Sequence, residues 1–162
     1  MNKLIYLLIV CLAFFNCTGQ EPTSFSETAL NDTFINLQGE EVTFKDILEA
    51  HKGQTIVIDI WASWCKDCIG GMPKVKVLQQ AHQEVVYIFL SLDKSQEAWK
   101  KGIEKYDVNG THYFMQSGWK GDFGSFVNLD WIPRYMVIDK EGNIKVFKAV
   151  EADDKKIKDV LK

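Results

Sequence analysis

The stretch Ile56–Pro73, IVIDIWASWCKDCIGGMP, decides the fold. Its first six residues are apolar except for Asp59, which is typical of a central strand that is covered on both faces. From Cys65 onward the apolar residues recur at helical spacing, which predicts a helix to about residue 83 with a kink at its proline. The two cysteines of the stretch, Cys65 and Cys68, therefore lie at the start of a helix that follows a buried strand.

The spacing of these cysteines indicates redox chemistry. Two cysteines with two residues between them can close a small disulfide ring, and the N–H groups at a helix N-terminus stabilise a thiolate. Half of a zinc site and two inert buried thiols are the alternatives. A structural zinc usually has four protein ligands, whereas this sequence has no second C-x-x-C motif, and His51, His82 and His112 are scattered. We therefore predict a redox-active pair that uses no metal or other cofactor.

Asp59 is the one charged residue within the predicted central strand. A carboxylate is costly to bury, so a residue of this type needs either a polar partner or a chemical role. Burial disfavours its charged form and raises its pKa toward the range that suits proton transfer. Asp59 is therefore expected to have either a polar partner elsewhere in the fold or a chemical role.

Composition fits one globular domain. The chain has 162 residues, 46% of them hydrophobic, which is enough for a single ordinary core. Lys and Arg number 19 against 22 Asp and Glu, so the net charge is −3. Without a basic surface of the kind that contacts phosphates, nucleic acid is not an expected partner.

The N-terminus predicts export. Lys3 precedes the uncharged run Leu4–Phe15, which is too short for a spanning helix of roughly 20 residues and is typical of a signal peptide. Cys17 follows directly and resembles the lipidated cysteine of a bacterial lipoprotein, although Phe14–Asn16 depart from the usual signal. We predict a signal peptide at residues 1–16 and a lipid on Cys17 that attaches the protein to the periplasmic side of a bacterial membrane. A soluble secreted or periplasmic protein is the alternative.

Removal of residues 1–16 leaves Cys65 and Cys68 as the only cysteines of the predicted folded part. An exported domain with a single pair has no disulfide framework, so the pair is more plausibly functional than structural. Residues 17–31 are polar without periodicity and are predicted to be a flexible tether. The folded domain is then expected over residues 32–162.

The remaining pattern predicts an α/β fold. Strands and helices of this length alternate as in right-handed parallel crossovers, with one hairpin pattern before them in the sequence and one after them. The predicted segments are a hairpin over 33–44, a helix to about residue 50 capped by Thr43, a strand over 85–91, a helix over 95–106, an extended segment over 111–115, a Gly-rich stretch over 118–124, a hairpin over 131–150 and a terminal helix from about residue 153.

These motifs together resemble the thioredoxin superfamily and, within it, the exported TlpA/ResA-type thiol–disulfide oxidoreductases, over about residues 33–162. The resemblance rests on DIWASWCKDC with Pro73 following, on the step Trp131-Ile132-Pro133 into a strand, and on the hairpin sequence VIDKEGNI. The hairpin before the redox strand distinguishes this branch from plain thioredoxin. The resemblance implies a thioredoxin-like fold, a central mixed β-sheet flanked by helices with an N-terminal β-hairpin extension.

The resemblance also implies roles for single residues. Cys65 corresponds to the nucleophile and Cys68 to the resolving cysteine of a redox-active disulfide. Asp59 corresponds to the buried aspartate that accepts a proton from the resolving cysteine. ResA-type proteins have a glutamate three residues after the second cysteine, and this chain has Gly71 there. That departure leaves proton transfer to Asp59 and weakens the case for haem-protein maturation.

A substrate-binding surface is implied as well. Pro133 corresponds to the cis-proline beside the disulfide, and the backbone of Ile132 would pair with an extended substrate segment. Trp64 and Trp131 would frame the sulfurs, whereas a tryptophan at the end of a central strand, Trp61, is assigned to the core. His112 is expected to be a surface or loop histidine, because no ligand set lies near it in the sequence.

The predicted activity is reduction of disulfides in exported proteins, with protein thiols and disulfides as substrates and a membrane-borne electron donor or acceptor as partner. A peroxiredoxin-like peroxidase is one alternative, but it requires a P-x-x-x-T-x-x-C site that this sequence lacks. A copper-binding or copper-delivery module is the other. Such modules generally use C-x-x-x-C with a distant His, and the spacing here is one residue shorter.

Overall fold

The computed structural model describes residues 20–162. The predicted signal peptide at residues 1–16 and the predicted lipidation site Cys17 lie outside the described residues. Between residues 20 and 162, no helix is both long and apolar enough to cross a membrane.

This part of the chain contains seven β-strands and six α-helices in one mixed sheet with flanking helices. The strands are β1 Thr33–Ile35, β2 Glu41–Thr43, β3 Ile56–Trp61, β4 Val86–Ser91, β5 Thr111–Phe114, β6 Arg134–Ile138 and β7 Ile144–Ala149. The helices are α1 Glu27–Asn31, α2 Phe44–Ala50, α3 Lys66–Ala81, α4 Gln96–Tyr106, α5 Asp122–Phe126 and α6 Lys155–Val160, with a 3-10 turn at Gly118–Lys120.

The strand order is β2-β1-β5-β4-β3-β6-β7, which places the redox strand β3 inside the sheet. It pairs in parallel with β4 and antiparallel with β6, and β4 pairs in parallel with β5. All six residues of β3 are buried, as a strand paired on both edges and covered on both faces requires. The predicted thioredoxin-like α/β fold, with its parallel crossovers and its N-terminal β-hairpin, is confirmed.

The N-terminal segment differs from the prediction of a flexible tether over 17–31. Its second part is folded: the Phe25 ring packs against Phe44 at 4.8 Å between centroids, and Ala29 of α1 is fully buried. The backbone N–H of Ile144 donates a hydrogen bond to the Thr23 carbonyl at 2.8 Å. One aromatic and one small apolar residue anchor this polar segment, so it lacked a periodic signal, and the domain begins before the predicted boundary at residue 32.

Helix α3 begins at the two cysteines and packs on the core. Cys65 is its N-cap residue, and the buried side chains Met72, Val75 and Leu78 form the face that packs on the core. This face confirms the predicted helical spacing. Pro73 lies within the helix, which continues to Ala81.

His112 is a core residue, so its prediction as a surface or loop histidine was wrong. It lies on β5 opposite Phe89 of β4, and the two rings stack with centroids 5.2 Å apart. Its Nε2 atom is 2.9 Å from the Val108 carbonyl oxygen. Burial lowers the pKa of His112, which favours the neutral imidazole. The parallel pairing of β5 with β4, which buries this position, is a long-range contact that local sequence does not encode.

Candidate active site

Cys65 and Cys68 form a disulfide with their Cα atoms 5.3 Å apart. The two sulfurs differ in their surroundings. Cys65 is 6% exposed at the surface end of the helix, whereas Cys68 is fully buried in its first turn. The Cys68 backbone N–H points at Cys65 and donates a hydrogen bond to its Sγ atom at 3.1 Å. Cys65 is therefore the less buried of the two residues, and the helix N-terminus is arranged to stabilise negative charge on its sulfur.

A buried hydrogen-bond network fixes the turn before Cys65. The Asp93 carboxylate accepts bonds from the Ser63 hydroxyl at 2.6 Å and from the Ser91 hydroxyl at 2.8 Å. It also accepts the Ser63 backbone N–H at 3.1 Å. Asp93 is 6% exposed, and it ties the end of β3 to the end of β4. Sequence reasoning missed Asp93, because a lone aspartate after a strand carries no local signal of such a role.

The loop before β6 brings a second segment to the disulfide. The peptide bond between Ile132 and Pro133 is cis, as the resemblance implies for this proline. The Ile132 carbonyl oxygen lies 3.6 Å from Cys65 Sγ. Residues that are far apart in sequence thus meet at the Cys65 sulfur, because β6 is the antiparallel neighbour of β3.

Arg134, the first residue of β6, binds two residues of this loop. Its guanidinium is fully buried, donates from Nη1 to the Val127 carbonyl at 2.7 Å, and bonds through Nη2 to the Asp130 carboxylate. Lys148 binds the same carboxylate from the solvent side at 3.0 Å. An arginine is suited to this task because its planar fork can hold a carbonyl and a carboxylate at once. The sequence places Arg134 in a strand but does not show that its charge is buried.

Aromatic side chains line a cavity beside the Cys65 sulfur. Trp64 and Trp131 are 51% and 60% exposed, although large apolar residues of this kind usually bury much of their surface. Together with Cys65, Ile132 and Trp119 they line a cavity of about 470 Å³. Trp119, from the Gly-rich stretch after β5, is an addition to the predicted residues.

Trp61 is fully buried, which confirms its assignment to the core. It is the last residue of β3, all of which is buried, and it is not among the residues that line the cavity beside Cys65. The predicted frame of the sulfurs therefore consists of Trp64 and Trp131, with Trp119 as a third member.

Asp59 lies in the middle of β3 and is 3% exposed. Its cross-strand partner in the sheet is Tyr135 of β6. Burial raises the pKa of Asp59 to about 8, and the nearby Tyr135 hydroxyl opposes this rise. Neither carboxylate oxygen completes a hydrogen bond with any residue between 20 and 162. Asp59 is thus an acid that is mostly protonated at neutral pH and can accept or release a proton near pH 8.

Within residues 20–162, no group of three or more His, Cys, Asp or Glu side chains is arranged to hold a metal ion.

A strand that delivers two cysteines to a helix N-terminus, beside a loop with a cis-proline, defines the class of thiol–disulfide oxidoreductases with a thioredoxin-like fold. A profile of the family described as thioredoxin-like matches residues 53–144, which is more than half of the chain. The chain belongs to this thioredoxin-like family.

Relatives of known name agree with this assignment. The chain is 26% identical over 157 residues to the thiol-disulfide oxidoreductase ResA of Bacillus cereus, covering 88% of this chain and 86% of that protein. It is 25% identical over 131 residues to the thioredoxin-like protein YneN of Bacillus subtilis, covering 78% of this chain and 68% of that one.

Solved structures show the same fold. A thiol:disulfide interchange protein from Bacteroides sp. superimposes with a TM-score of 0.64 at 25% identity, covering 85% of this chain and 88% of that one. A thiol-disulfide oxidoreductase from Bacteroides fragilis superimposes with a TM-score of 0.68 at 20% identity, covering 83% of this chain and 100% of that one.

Proposed function

We propose that the protein reduces disulfide bonds of exported proteins through a dithiol–disulfide cycle of Cys65 and Cys68. The observation that carries this proposal is the asymmetry of the two sulfurs. Cys65 is 6% exposed, lines the tryptophan cavity and accepts the helix N–H bond, whereas Cys68 is fully buried. Such an arrangement suits an attacking thiolate on the outside and a resolving thiol on the inside.

The cycle begins with the reduced protein. The Cys65 thiolate attacks one sulfur of a substrate disulfide, a bond forms between Cys65 and the substrate, and the second substrate sulfur leaves as a thiolate. Cys68 then loses its proton and attacks Cys65 Sγ. The Cys65–Cys68 bond forms, the first substrate sulfur leaves, and two electrons have passed from the protein to the substrate.

Asp59 is the proton acceptor for Cys68 in this scheme. Its burial and its raised pKa of about 8 support the role, because a base with a pKa near that of a thiol can exchange a proton with it efficiently. Asp59 lies in the strand that leads directly into the redox turn, so the sheet fixes its position relative to the helix.

Substrate binding falls to Trp64, Ile132 and Pro133 in this proposal. The Ile132 carbonyl beside Cys65 can accept a backbone N–H from an extended substrate segment, as in strand addition. The tryptophan-lined cavity next to it offers an apolar surface for side chains that flank the substrate cysteine.

The predicted export signal and the lipid on Cys17 would place the domain on the periplasmic side of a bacterial membrane. A membrane-borne donor would then return electrons to the Cys65–Cys68 disulfide after each cycle. The similarity to ResA of Bacillus cereus supports the activity of the domain, and the N-terminal sequence supports its location.

The direction of electron flow is tested by the reduction potential of the Cys65–Cys68 couple, measured against a glutathione or dithiothreitol buffer. A reductase is expected near the thioredoxin value of roughly −270 mV, and a value near −120 mV would identify an oxidase instead. In a separate assay of substrate reduction, the Cys65→Ser variant should reduce no substrate disulfide. Turnover by that variant would contradict the assignment of the nucleophile.

A further inference from the structure

The proposed cycle requires that Asp59 give up, once per turnover, the proton that it receives from Cys68. Asp59 is 3% exposed, and neither of its carboxylate oxygens has a hydrogen-bond partner in the described part of the chain. A buried acid in this position cannot exchange with solvent directly. Some polar group must therefore connect it to water.

Tyr135 is the polar side chain that meets this requirement. It is the cross-strand partner of Asp59, so the two side chains project from the same face of the sheet. The ring is 1% exposed, and its hydroxyl oxygen also has no hydrogen-bond partner among residues 20–162. Buried tyrosine hydroxyls usually find a partner, and an unpaired one beside an unpaired carboxyl indicates a role beyond packing.

The Tyr135 hydroxyl lies next to Gly71 of α3. A Cβ atom added at Gly71 would lie 3.4 Å from the hydroxyl oxygen, so a side chain longer than alanine would have to displace the hydroxyl or turn away from it. Gly71, Pro133 and Tyr135 line a cavity of about 430 Å³ that opens to the surface. This volume is ample for water molecules, and Lys74 and Glu151 at its wall can hydrogen-bond to them.

We propose that the Tyr135 hydroxyl relays protons between the Asp59 carboxyl group and this cavity. The inference rests on the proposed redox function. In the outward step the protonated Asp59 donates its proton to Tyr135 Oη while the Tyr135 O–H proton passes to water in the cavity. Asp59 becomes a carboxylate, the tyrosine stays neutral, and the water carries the proton to solvent. Tyr135 thus affects the two cysteines only through Asp59.

The surroundings of the Tyr135 hydroxyl favour a transfer in which it gains one proton as it loses the other. Burial and the acids around it hold the pKa of Tyr135 above its ordinary value, so it does not ionise on its own. The titratable and charged groups near the relay lie on four segments. They are Asp59 on β3, Cys65, Lys66, Asp67, Cys68 and Lys74 on or beside α3, Tyr135 itself on β6, and Glu151 and Asp153 after β7.

The test is a single turnover of the reduced protein with an aromatic disulfide whose released thiolate absorbs visible light. A first phase reports attack by Cys65, and a second phase reports resolution by Cys68. Asp59 is mostly protonated at neutral pH, so it must lose that proton through the relay before it can accept the one from Cys68. Tyr135→Phe removes only the hydroxyl, so the first phase should be unchanged and the second should slow at least about tenfold. The pH midpoint of the second phase should also move upward, because the hydroxyl opposes the rise of the Asp59 pKa.

Tyr87→Phe is the matched control. The Tyr87 hydroxyl is also buried, but it donates a hydrogen bond to the Leu78 carbonyl at 3.1 Å and therefore has a structural role. Its removal should lower the urea concentration at the midpoint of unfolding and leave both phases unchanged. Tyr135→Phe should do the reverse, with little loss of stability and a slower second phase.

The outcomes separate the relay from the redox function. If Tyr135→Phe resolves at the wild-type rate with the wild-type pH midpoint, the relay is wrong and the redox proposal stands. A second phase that slows equally in both tyrosine variants would also overturn the relay. If the wild-type protein releases no thiolate at all, the proposed function itself has failed.

Discussion

At the scale of single residues, the site depends on a buried carboxyl group that the fold keeps protonated. Asp59 lies in a strand whose six residues are all buried, and burial raises its pKa to about 8. This environment costs stability whenever the group is ionised, since a buried charge without a partner is unfavourable. A residue retained under such a cost is a strong candidate for function.

The first prediction concerns the pH dependence that Asp59 imposes on stability. In the unfolded chain an aspartate ionises near pH 4, whereas in the folded protein Asp59 keeps its proton until about pH 8. Between these values the folded state binds more protons, so the free energy of unfolding should fall as the pH rises. Compared with Asp59→Asn, the wild-type protein should lose on the order of 5 kcal/mol across this window.

Urea unfolding of the oxidised wild-type and Asp59→Asn proteins at a series of pH values measures this difference. Contributions from other groups cancel in the comparison, because the two proteins differ at one side chain. Parallel pH curves for the two proteins would show that the pKa of Asp59 is not raised in the folded protein.

At the scale of secondary-structure elements, two segments outside the C-x-x-C motif shape the domain. The loop from Val127 to Pro133 is held by Arg134, and the segment before β1 is held by Phe25. Neither anchor follows from local sequence. An arginine in a strand and a phenylalanine in a polar stretch acquire their roles only when distant parts of the chain pack around them.

Arg134→Met should loosen the loop that carries Trp131 and Ile132. The variant loses the bonds to the Val127 carbonyl and the Asp130 carboxylate, so we expect a loss of about 1.5–3 kcal/mol in the free energy of unfolding. Attack of Cys65 on a protein disulfide should slow as well, because the loop that carries Trp131 and Ile132 is less ordered.

Lys148→Met is the control for this loop. It removes the other cation on Asp130, but Lys148 is 41% exposed and such pairs contribute about 1 kcal/mol or less. Chemical denaturation and single-turnover kinetics of both variants provide the measurement. Equal effects of the two substitutions would show that the buried guanidinium has no special part in holding the loop.

Phe25→Ala tests whether the N-terminal segment belongs to the domain. The Phe25 ring lies against Phe44, Phe123 and Phe126 at centroid distances of 4.8, 6.2 and 5.4 Å. Its loss should lower the free energy of unfolding by about 1–3 kcal/mol. Leu37→Ala, at an apolar side chain that is 40% exposed in the β1–β2 turn, should cost less than about 0.5 kcal/mol. A Phe25→Ala protein as stable as wild type would restore the tether interpretation.

At the scale of the whole molecule, the sequence predicted the elements better than their contacts. The redox strand, the cysteine-bearing helix and both hairpins were predictable because each has a local periodicity or turn signal. Thr43 caps α2 as expected, with a reciprocal bond between Thr43 and Asp46. His112, Asp93, Arg134 and Tyr135 were missed or misplaced because burial of a polar side chain depends on which strands become neighbours.

The residues of the candidate site divide in the same way, into those with a signal in the sequence and those placed by contacts between distant segments. Cys65, Cys68 and Asp59 could be predicted from one stretch, and Ile132 and Pro133 from a resemblance that spans the chain. Trp119 and Tyr135 join the site only in three dimensions, through a cavity beside Cys65 and through pairing of β6 with β3.

The central claim is that the fold makes Cys65 the outer, attacking sulfur and Cys68 the inner, resolving one.

The most direct test of that claim is a trapping experiment in cells with the full chain. In Cys68→Ser, attack by Cys65 proceeds but the resolving step cannot, so the variant should accumulate mixed disulfides with exported proteins that dissolve on reduction. Cys65→Ser, the matched control, should trap none. Mass spectrometry of the captured adducts identifies the linked cysteine. Adducts on Cys65 of the Cys68→Ser protein are the predicted result, and adducts on Cys68 of the Cys65→Ser protein, or none in either variant, would contradict it.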